Sequence, residues 1–285
     1  MIRKKNMFLK IFALIFFKSK GGTLNRFNSL ISPKEFDLQK SVELQSTIKQ
    51  VIKILSVVKS KEKLVRVGGT GDGSYVIPTN LVNNDTYLVS GGIDKNNRFE
   101  IELAKKGVTG IQVDNSIDSP PILHQNLNFT KATLGDKEGF NKVTLRSLLK
   151  NVPSSKKILI KLDIEGSETS ALIGGLSLID MKKVSCIVLE LHNLCSVHED
   201  ILLLKLLNKI YAAGFKSIYL QANNGVMNYI LGGYMLPENL EVTFIKKQHT
   251  KKPNVRDIME LKSLLTRNRQ NYAPVNLDCF LFNNV

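Results

Sequence analysis

The apolar run Ile158-Leu159-Ile160-Lys161-Leu162 stops abruptly at Asp163-Ile164-Glu165-Gly166-Ser167-Glu168. Such a run is a buried strand, and carboxylates at its tip stand where open α/β sheets bind small ligands. A second apolar run, Val184 to Leu191, carries Glu190 near its end and His192 just beyond it. Side chains alternate along a strand, so Glu190 and His192 share one side, within a side-chain length of Asp163 if the two strands are neighbours. Carboxylates and imidazole take protons from reacting hydroxyls, which makes Asp163, Glu190 and His192 the candidate catalytic residues. The same three groups can ligate a divalent ion that acidifies a hydroxyl. No tight His and Glu spacing marks such a site, and no metal is expected. Each residue also has a plain structural use. Asp163 can cap the helix that follows, Glu165 and Glu168 can complement a helix dipole, and Glu190 with His192 can form a pair that stiffens a loop.

A glycine turn points to the ligand. Gly91-Gly92-Ile93-Asp94 follows the apolar strand Tyr87 to Ser90 and precedes a helix that starts near Arg98. Glycines there let backbone approach a ligand at the head of the helix. Asp114 ends the next strand about 20 residues on, where a carboxylate accepts hydrogen bonds from ribose hydroxyls. The fingerprint G-x-G-x-x-G is missing, which disfavours a nicotinamide dehydrogenase, and no G-K-[ST] motif appears. An adenosine ligand without phosphates fits better than ATP.

The elements that must position these residues follow a repeating pattern. Apolar residues at helical spacing between Lys34 and Lys61 (Phe36, Val42, Leu44, Ile48, Val51, Ile52, Leu55) predict one or two helices ahead of the core. A glycine-dense turn, Val67 to Ser74, leads into short β-like runs. Strand and helix then alternate: Phe99–Lys106 helical, Gly110–Val113 strand, Val143–Leu149 helical, Ile158–Leu162 strand, Ser167–Ile179 helical, Val184–Leu191 strand, Glu199–Ala213 helical and Ser217–Leu220 strand. Leu240–Ile245 is the last strand. Such alternation predicts a mostly parallel sheet covered on both faces. A link from Gly225 to Pro237 without a helix makes the last two strands an antiparallel pair.

At 285 residues and 43% hydrophobic content the chain can bury one large core or a core with an appended lobe, so disorder is not the default reading. The net charge of +15 invites an anionic partner, but Lys is scattered along every segment and nucleotide bias explains it equally well. Trp is absent and no nucleic-acid-binding signature appears, so no nucleic acid is expected. Cys186, Cys195 and Cys279 form no CxxC pair and suit a reducing compartment as thiols, Cys186 within the core. Arg3, Lys4 and Lys5 precede an apolar stretch from Met7 to Phe17, too short to span a bilayer. Residues 1–20 are either an interfacial anchor or an amphipathic helix packed on the domain.

Taken together, the motifs resemble those of FkbM-type S-adenosylmethionine-dependent methyltransferases, over roughly residues 64 to 280. The carrying segments are Arg66 with Gly68, Asp72-Gly73 and Tyr75-Val76; Ser90-Gly91-Gly92-Ile93; Phe99-Glu100 with Glu102-Leu103-Ala104; Lys161 with Asp163-Ile164-Glu165-Gly166 and Glu168; Glu190-Leu191-His192-Asn193; Asn223-Asn224; and Leu240 to Phe244. Relatives usually carry Gly-x-Gly where this chain has Gly91-Gly92-Ile93-Asp94. The resemblance implies a Rossmann-like class I methyltransferase domain, an α/β sheet of seven strands with the last antiparallel, over residues 64–285. It follows the segment 1–20 and an N-terminal helical region, 21–63. The implied cofactor is S-adenosyl-L-methionine, held by Arg66, Asp72, Tyr75, Gly91, Gly92, Asp114 and Asp163, with Asn223 and Asn224 on a sugar-like acceptor. Asn223 and Asn224 can equally form a turn with Gly225. The expected activity is O-methylation of a sugar or glycan-linked hydroxyl, by a cytoplasmic protein that can touch the membrane periphery through residues 1–20. The alternative is a catalytically silent nucleoside- or glycan-binding protein of the same fold. Methyl transfer from a sulfonium is an in-line displacement, so alignment alone can supply about 7–11 kcal/mol in favourable cases.

Overall fold

The computed structural model describes residues 38–196, 201–231, 234–268 and 275–281. The chain divides into Met1–Ser41, of which only the helical residues from Leu38 are described, and a compact unit, Val42–Val285. The anchor expected over residues 1–20 lies outside the described residues, as do Phe36 and Glu199. Among the described residues no helix is long and apolar enough to cross a membrane.

Seven strands form the central sheet: β1 (Thr86–Gly91), β2 (Thr109–Val113), β3 (Leu127–Thr130), β4 (Lys157–Leu162), β5 (Val184–Leu191), β6 (Phe215–Ala222) and β7 (Leu240–Lys246). Their order is β3-β2-β1-β4-β5-β7-β6. All neighbours run parallel except β7, which lies antiparallel between β5 and β6. This is a Rossmann-like, mostly parallel sheet, with the antiparallel last strand that the sequence predicts. The chain builds outward through β2 and β3, then returns to the other side of β1 with β4. A crevice opens at such a switch point, outside the carboxyl ends of the strands.

Each face of the sheet has its own cover. Val89, Ile158, Ile160, Leu162, Ile187 and Leu189 project into the larger core, against α1 (Leu38–Leu55), α2 (Leu145–Leu149), α3 (Glu168–Ile173) and α4 (Ile201–Ala212). In α1, the buried residues Ile48, Val51, Ile52 and Leu55 recur at helical spacing, so one helix suffices where one or two were predicted. This stripe belongs to the main core. On the opposite face, Leu88, Leu159, Cys186, Val188 and Ile245 pack under the helix Arg98–Lys105 and the hairpin Leu64–Val67/Tyr75–Pro78.

Two local departures have physical causes. The helix expected over Ser167–Ile179 ends at Ile173 and a new turn starts at Leu178 under a Ser177–Asp180 capping box. Gly174 and Gly175 break it. A Cβ on Gly175 would lie 2.4 Å from Ala171 O and 2.6 Å from Gly135 O, so the helix end abuts the neighbouring backbone. Residues 142–144 form a strand paired with Thr133–Gly135, and Thr144 caps the helix that the sequence starts at Val143. Between β6 and β7 the described residues form no helix, in line with the antiparallel pairing, and hold a second hairpin, Asn228–Leu231/Tyr234–Pro237.

Candidate functional site

Strand register sets the site. Leu162 pairs with Gly91 on one side and Leu189 on the other, so Asp163 and Glu190, one residue further along, stand level across the sheet. Glu190 pairs in turn with Glu241, and Glu241 with Gln221. Residues in one row of a sheet point to one face. A line of polar side chains thus runs beneath the hairpin, and a cleft of about 740 Å³ opens beside it at the ends of β1, β2, β4 and β5.

Asp163 is gripped from two directions. Its Oδ2 accepts a hydrogen bond from the Tyr75 hydroxyl at 2.7 Å and lies 3.9 Å from Lys161 Nζ, while Oδ1 lies 3.9 Å from His192 Nε2. Lys161 also donates to the carbonyls of Gly91 and Gly92, tying β4 to the glycine turn. Burial alone would raise the Asp163 pKa, but the Lys161 charge, the Tyr75 hydroxyl and His192 hold it below the usual value. Tyr75 is itself pushed well above its ordinary value, first by burial and then by the charge of Asp163. Its ring meets the Phe99 edge at 5.2 Å, which fixes the hydroxyl over the β4 tip.

His192 is oriented by a buried acid. Glu168 Oε1 accepts the Ile164 backbone N–H at 2.8 Å and stands 3.1 Å from His192 Nδ1. The other nitrogen, Nε2, faces Asp163 and Glu165, with Glu165 Oε2 at 3.5 Å. These three side chains can bring one donor atom each within 4.8 Å of the others. Burial opposes charge on His192, yet the hydrogen bond and charge of Glu168, with Glu190 and Asp163, raise its pKa to about 9. Glu190 moves the same way for a different reason, pushed up to about 7 by burial and by the charge of Asp163. Its Oε1 accepts from Asn223 Nδ2 at 3.1 Å and Asn239 Nδ2 at 3.4 Å.

Across the cleft, Asp114 shapes the glycine turn. Its Oδ2 accepts the N–H groups of Ile93 and Asp94, and Oδ1 accepts both the N–H and the hydroxyl of Ser116. Burial raises its pKa, but these four bonds outweigh it and lower the value. Strained backbone gathers nearby: Asp94, Glu165 and Asn193 adopt φ of 38°, 54° and 55°. Non-glycine residues in that region carry a conformational cost and concentrate at functional sites.

Of the residues singled out in the sequence, Asp72, Tyr75, Gly92, Asp114, Asp163, Glu190, His192 and Asn223 line this cleft. Asn223 also forms the turn with Gly225, its Oδ1 accepting that N–H at 2.9 Å. Gly91, Asn224 and Arg66 do not line the cleft. A Cβ on Gly91 would lie 2.4 Å from Leu134 Cδ1, so this glycine serves packing, and Asn224 is buried away from the cleft. Arg66, expected at the cofactor, instead fastens the hairpin to β6 and the segment after the helix Val255–Ser263. Its guanidinium donates to Ser74 O and Oγ, Tyr219 Oη, Gln221 Oε1 and Leu264 O. Arg66→Met should therefore cost about 2–4 kcal/mol of stability in urea unfolding, because several acceptors lose their donor together. Arg66→Lys should recover only part, since an ammonium cannot fork across them.

Lys161, Glu165, Glu168 and Asn239 join the site without having been assigned to it. Lys161, Glu165 and Glu168 stand in β4, the turn after it and the start of α3, and their nearness to His192 and the glycine turn depends on register that spacing does not encode.

No protein-family model matches the chain, and no curated protein does. Among solved structures it is similar to a triple mutant of DNMT2 from Spodoptera frugiperda, at 12% identity with a TM-score of 0.32. That likeness covers 70% of this chain and 60% of the DNMT2 chain. The fold assignment rests on strand order and direction.

Proposed function

We propose that this chain is an S-adenosylmethionine-dependent methyltransferase that acts on a hydroxyl of a sugar or glycan-linked acceptor. The observation that carries the reading is the charge of the cleft. In a chain of net charge +15, its lining holds Asp72, Asp94, Glu100, Asp114, Asp163, Glu165 and Glu190 against Lys161 and His192. Phosphates of ATP, of a nicotinamide cofactor or of a nucleic acid would meet repulsion there, whereas a sulfonium with its ammonium would meet attraction.

The residues fit that donor. Asp114, at the end of β2, is placed for the ribose. All four of its lone-pair positions are occupied, and the Ser116 hydroxyl, the one side-chain donor among them, is the group that gives way. Ile93, Val113, Ala132 and Leu134 provide an apolar wall for the purine. When bound, the donor supplies an electrophilic methyl group. The chain does the rest: Asp163, fixed by Tyr75, positions the reacting centre, and Glu190 takes the acceptor hydroxyl's proton while Asn223 and Asn239 hold its carboxylate still. Asn223 also faces the acceptor.

Calorimetry tests the reading. S-adenosylhomocysteine should bind the full chain and NAD should not. Asp114→Asn, which keeps the side chain's shape but replaces one acceptor oxygen by a donor, should weaken S-adenosylhomocysteine by about 10–100-fold. Absence of binding at millimolar concentration would refute the donor assignment. Mass spectrometry of glycans incubated with protein and S-adenosylmethionine should show the gain of one methyl group. Binding without any such gain would instead identify a silent member of the fold.

A further inference from the structure

We infer that Asp163, Glu165 and His192 form a binding site for one divalent first-row metal cation on the floor of the cleft. The sequence points away from a metal, since no short His and Glu spacing is present; the folded chain assembles the donors from two strand ends.

Three observations converge. The first is distance. His192 Nε2 lies 3.5 Å from Glu165 Oε2 and 3.9 Å from Asp163 Oδ1, and one donor from each residue falls within 4.8 Å of the other two. Bonds of about 2.0–2.2 Å to nitrogen and oxygen place paired donors up to about 4 Å apart, so only a small contraction is needed. Glu165 can supply it, because its side chain is 89% exposed and free to swing.

The second is the state of His192. Its side chain is only 7% exposed, and Nε2 stands in ion-pair range of two carboxylate oxygens, 3.5 Å from Glu165 and 3.9 Å from Asp163. A buried ring nitrogen shared between two acids is a place where a metal ion can take over from a proton, which binding would release. The third is the far side of the ring. Nδ1 meets Glu168, which is 2% exposed and further held by the Ile164 N–H. A carboxylate behind a histidine is the outer-shell partner that orients metal-bound imidazoles.

Asp163 is divided in a way that suits this use. Oδ2 serves Tyr75 and Lys161, while Oδ1 turns toward His192. Lys161 does not compete for the ion's position, because its ammonium is engaged by the carbonyls of Gly91 and Gly92. One imidazole with two carboxylates suits Mn²⁺ or Zn²⁺ better than an all-oxygen ion. Three protein ligands leave three positions of an octahedral shell open, and an acceptor with two neighbouring oxygens, such as vicinal sugar hydroxyls, fills two of them, with water in the third. That last use rests on the methyl-transfer reading; binding of the ion does not.

The test is a titration of Mn²⁺ alone into the untagged full chain, followed by the loss of the free-ion electron paramagnetic resonance signal. One ion should bind per chain. Glu165→Gln and His192→Ala should each weaken binding by about 10-fold or more, and Glu168→Gln by about 10–100-fold through the ring it orients. Glu165→Gln decides the matter, because so exposed a position leaves the fold intact. No loss of signal, or an unchanged titration in that variant, would overturn the site. Calorimetry with S-adenosylhomocysteine, run without metal, separates the two ideas: Mn²⁺ binding without nucleoside binding removes the donor reading and keeps the ion, and the reverse result does the opposite.

Discussion

Gly92→Ala should abolish cooperative folding or cost more than about 4 kcal/mol, the largest stability loss expected of any single methyl in this chain. Gly92 has φ of +74°, and a Cβ built on it would lie 1.6 Å from the carbonyl oxygen of Asp163 and 2.7 Å from its carbonyl carbon. Both are backbone atoms in the turn that leaves β4, and neither can swing aside. The turn is locked as well, by Asp163 N–H to Gly91 O at 3.1 Å and Gly92 N–H to Val113 O at 3.0 Å. Gly166 provides the comparison. Its φ is +94°, yet nothing lies within 4 Å of its added Cβ, so Gly166→Ala should cost only the left-handed strain of about 1–2 kcal/mol. Urea unfolding of both variants measures the difference. Equal losses would mean that the close approach of the two turns does not exist.

The largest effect on turnover should come from Glu190→Gln. Glutamine has nearly the same shape and can keep one amide oxygen facing Asn223 and Asn239, but it cannot take a proton. The expected loss in kcat is about 10²–10⁴-fold, with affinity for S-adenosylhomocysteine unchanged. Stability should hold or rise, because a side chain only 4% exposed beside Asp163 no longer risks charge. A methyl-transfer assay on the variant decides it. Undiminished kcat would place the base elsewhere.

Much of the scaffold is legible in the chain, and for a definite reason. Strands β4 and β5 are buried on both faces, so they read as apolar runs interrupted only by Lys161 and Ser185, and the acids that end them mark where burial stops. The strand β3 is not legible. Leu127-Asn128-Phe129-Thr130 is short, sits at the sheet's edge, and follows a loop rather than a helix, so nothing in its composition separates it from the segments around it. The site divides in the same way. Asp163, Glu190 and His192 are visible as strand-end residues, but the role of Glu168 depends on how α3 settles against the tip of β5, 24 residues later in the chain. Arg66 shows the limit of motif reading: its partners Tyr219, Gln221 and Leu264 lie 153 to 198 residues away, and no local pattern announces them.

The antiparallel strand has a consequence for how the protein is made. As the chain leaves the ribosome, β5 and β6 are complete well before β7, yet the sheet reserves the space between them for Leu240–Lys246. Until that segment emerges, the nascent chain exposes a largely apolar strand, Val184 to Leu189, with one edge unpaired, a template for contacts with other chains. Chains that stall in this window should depend on holdase chaperones more than complete ones do, and the wait ends when the last strand closes the gap.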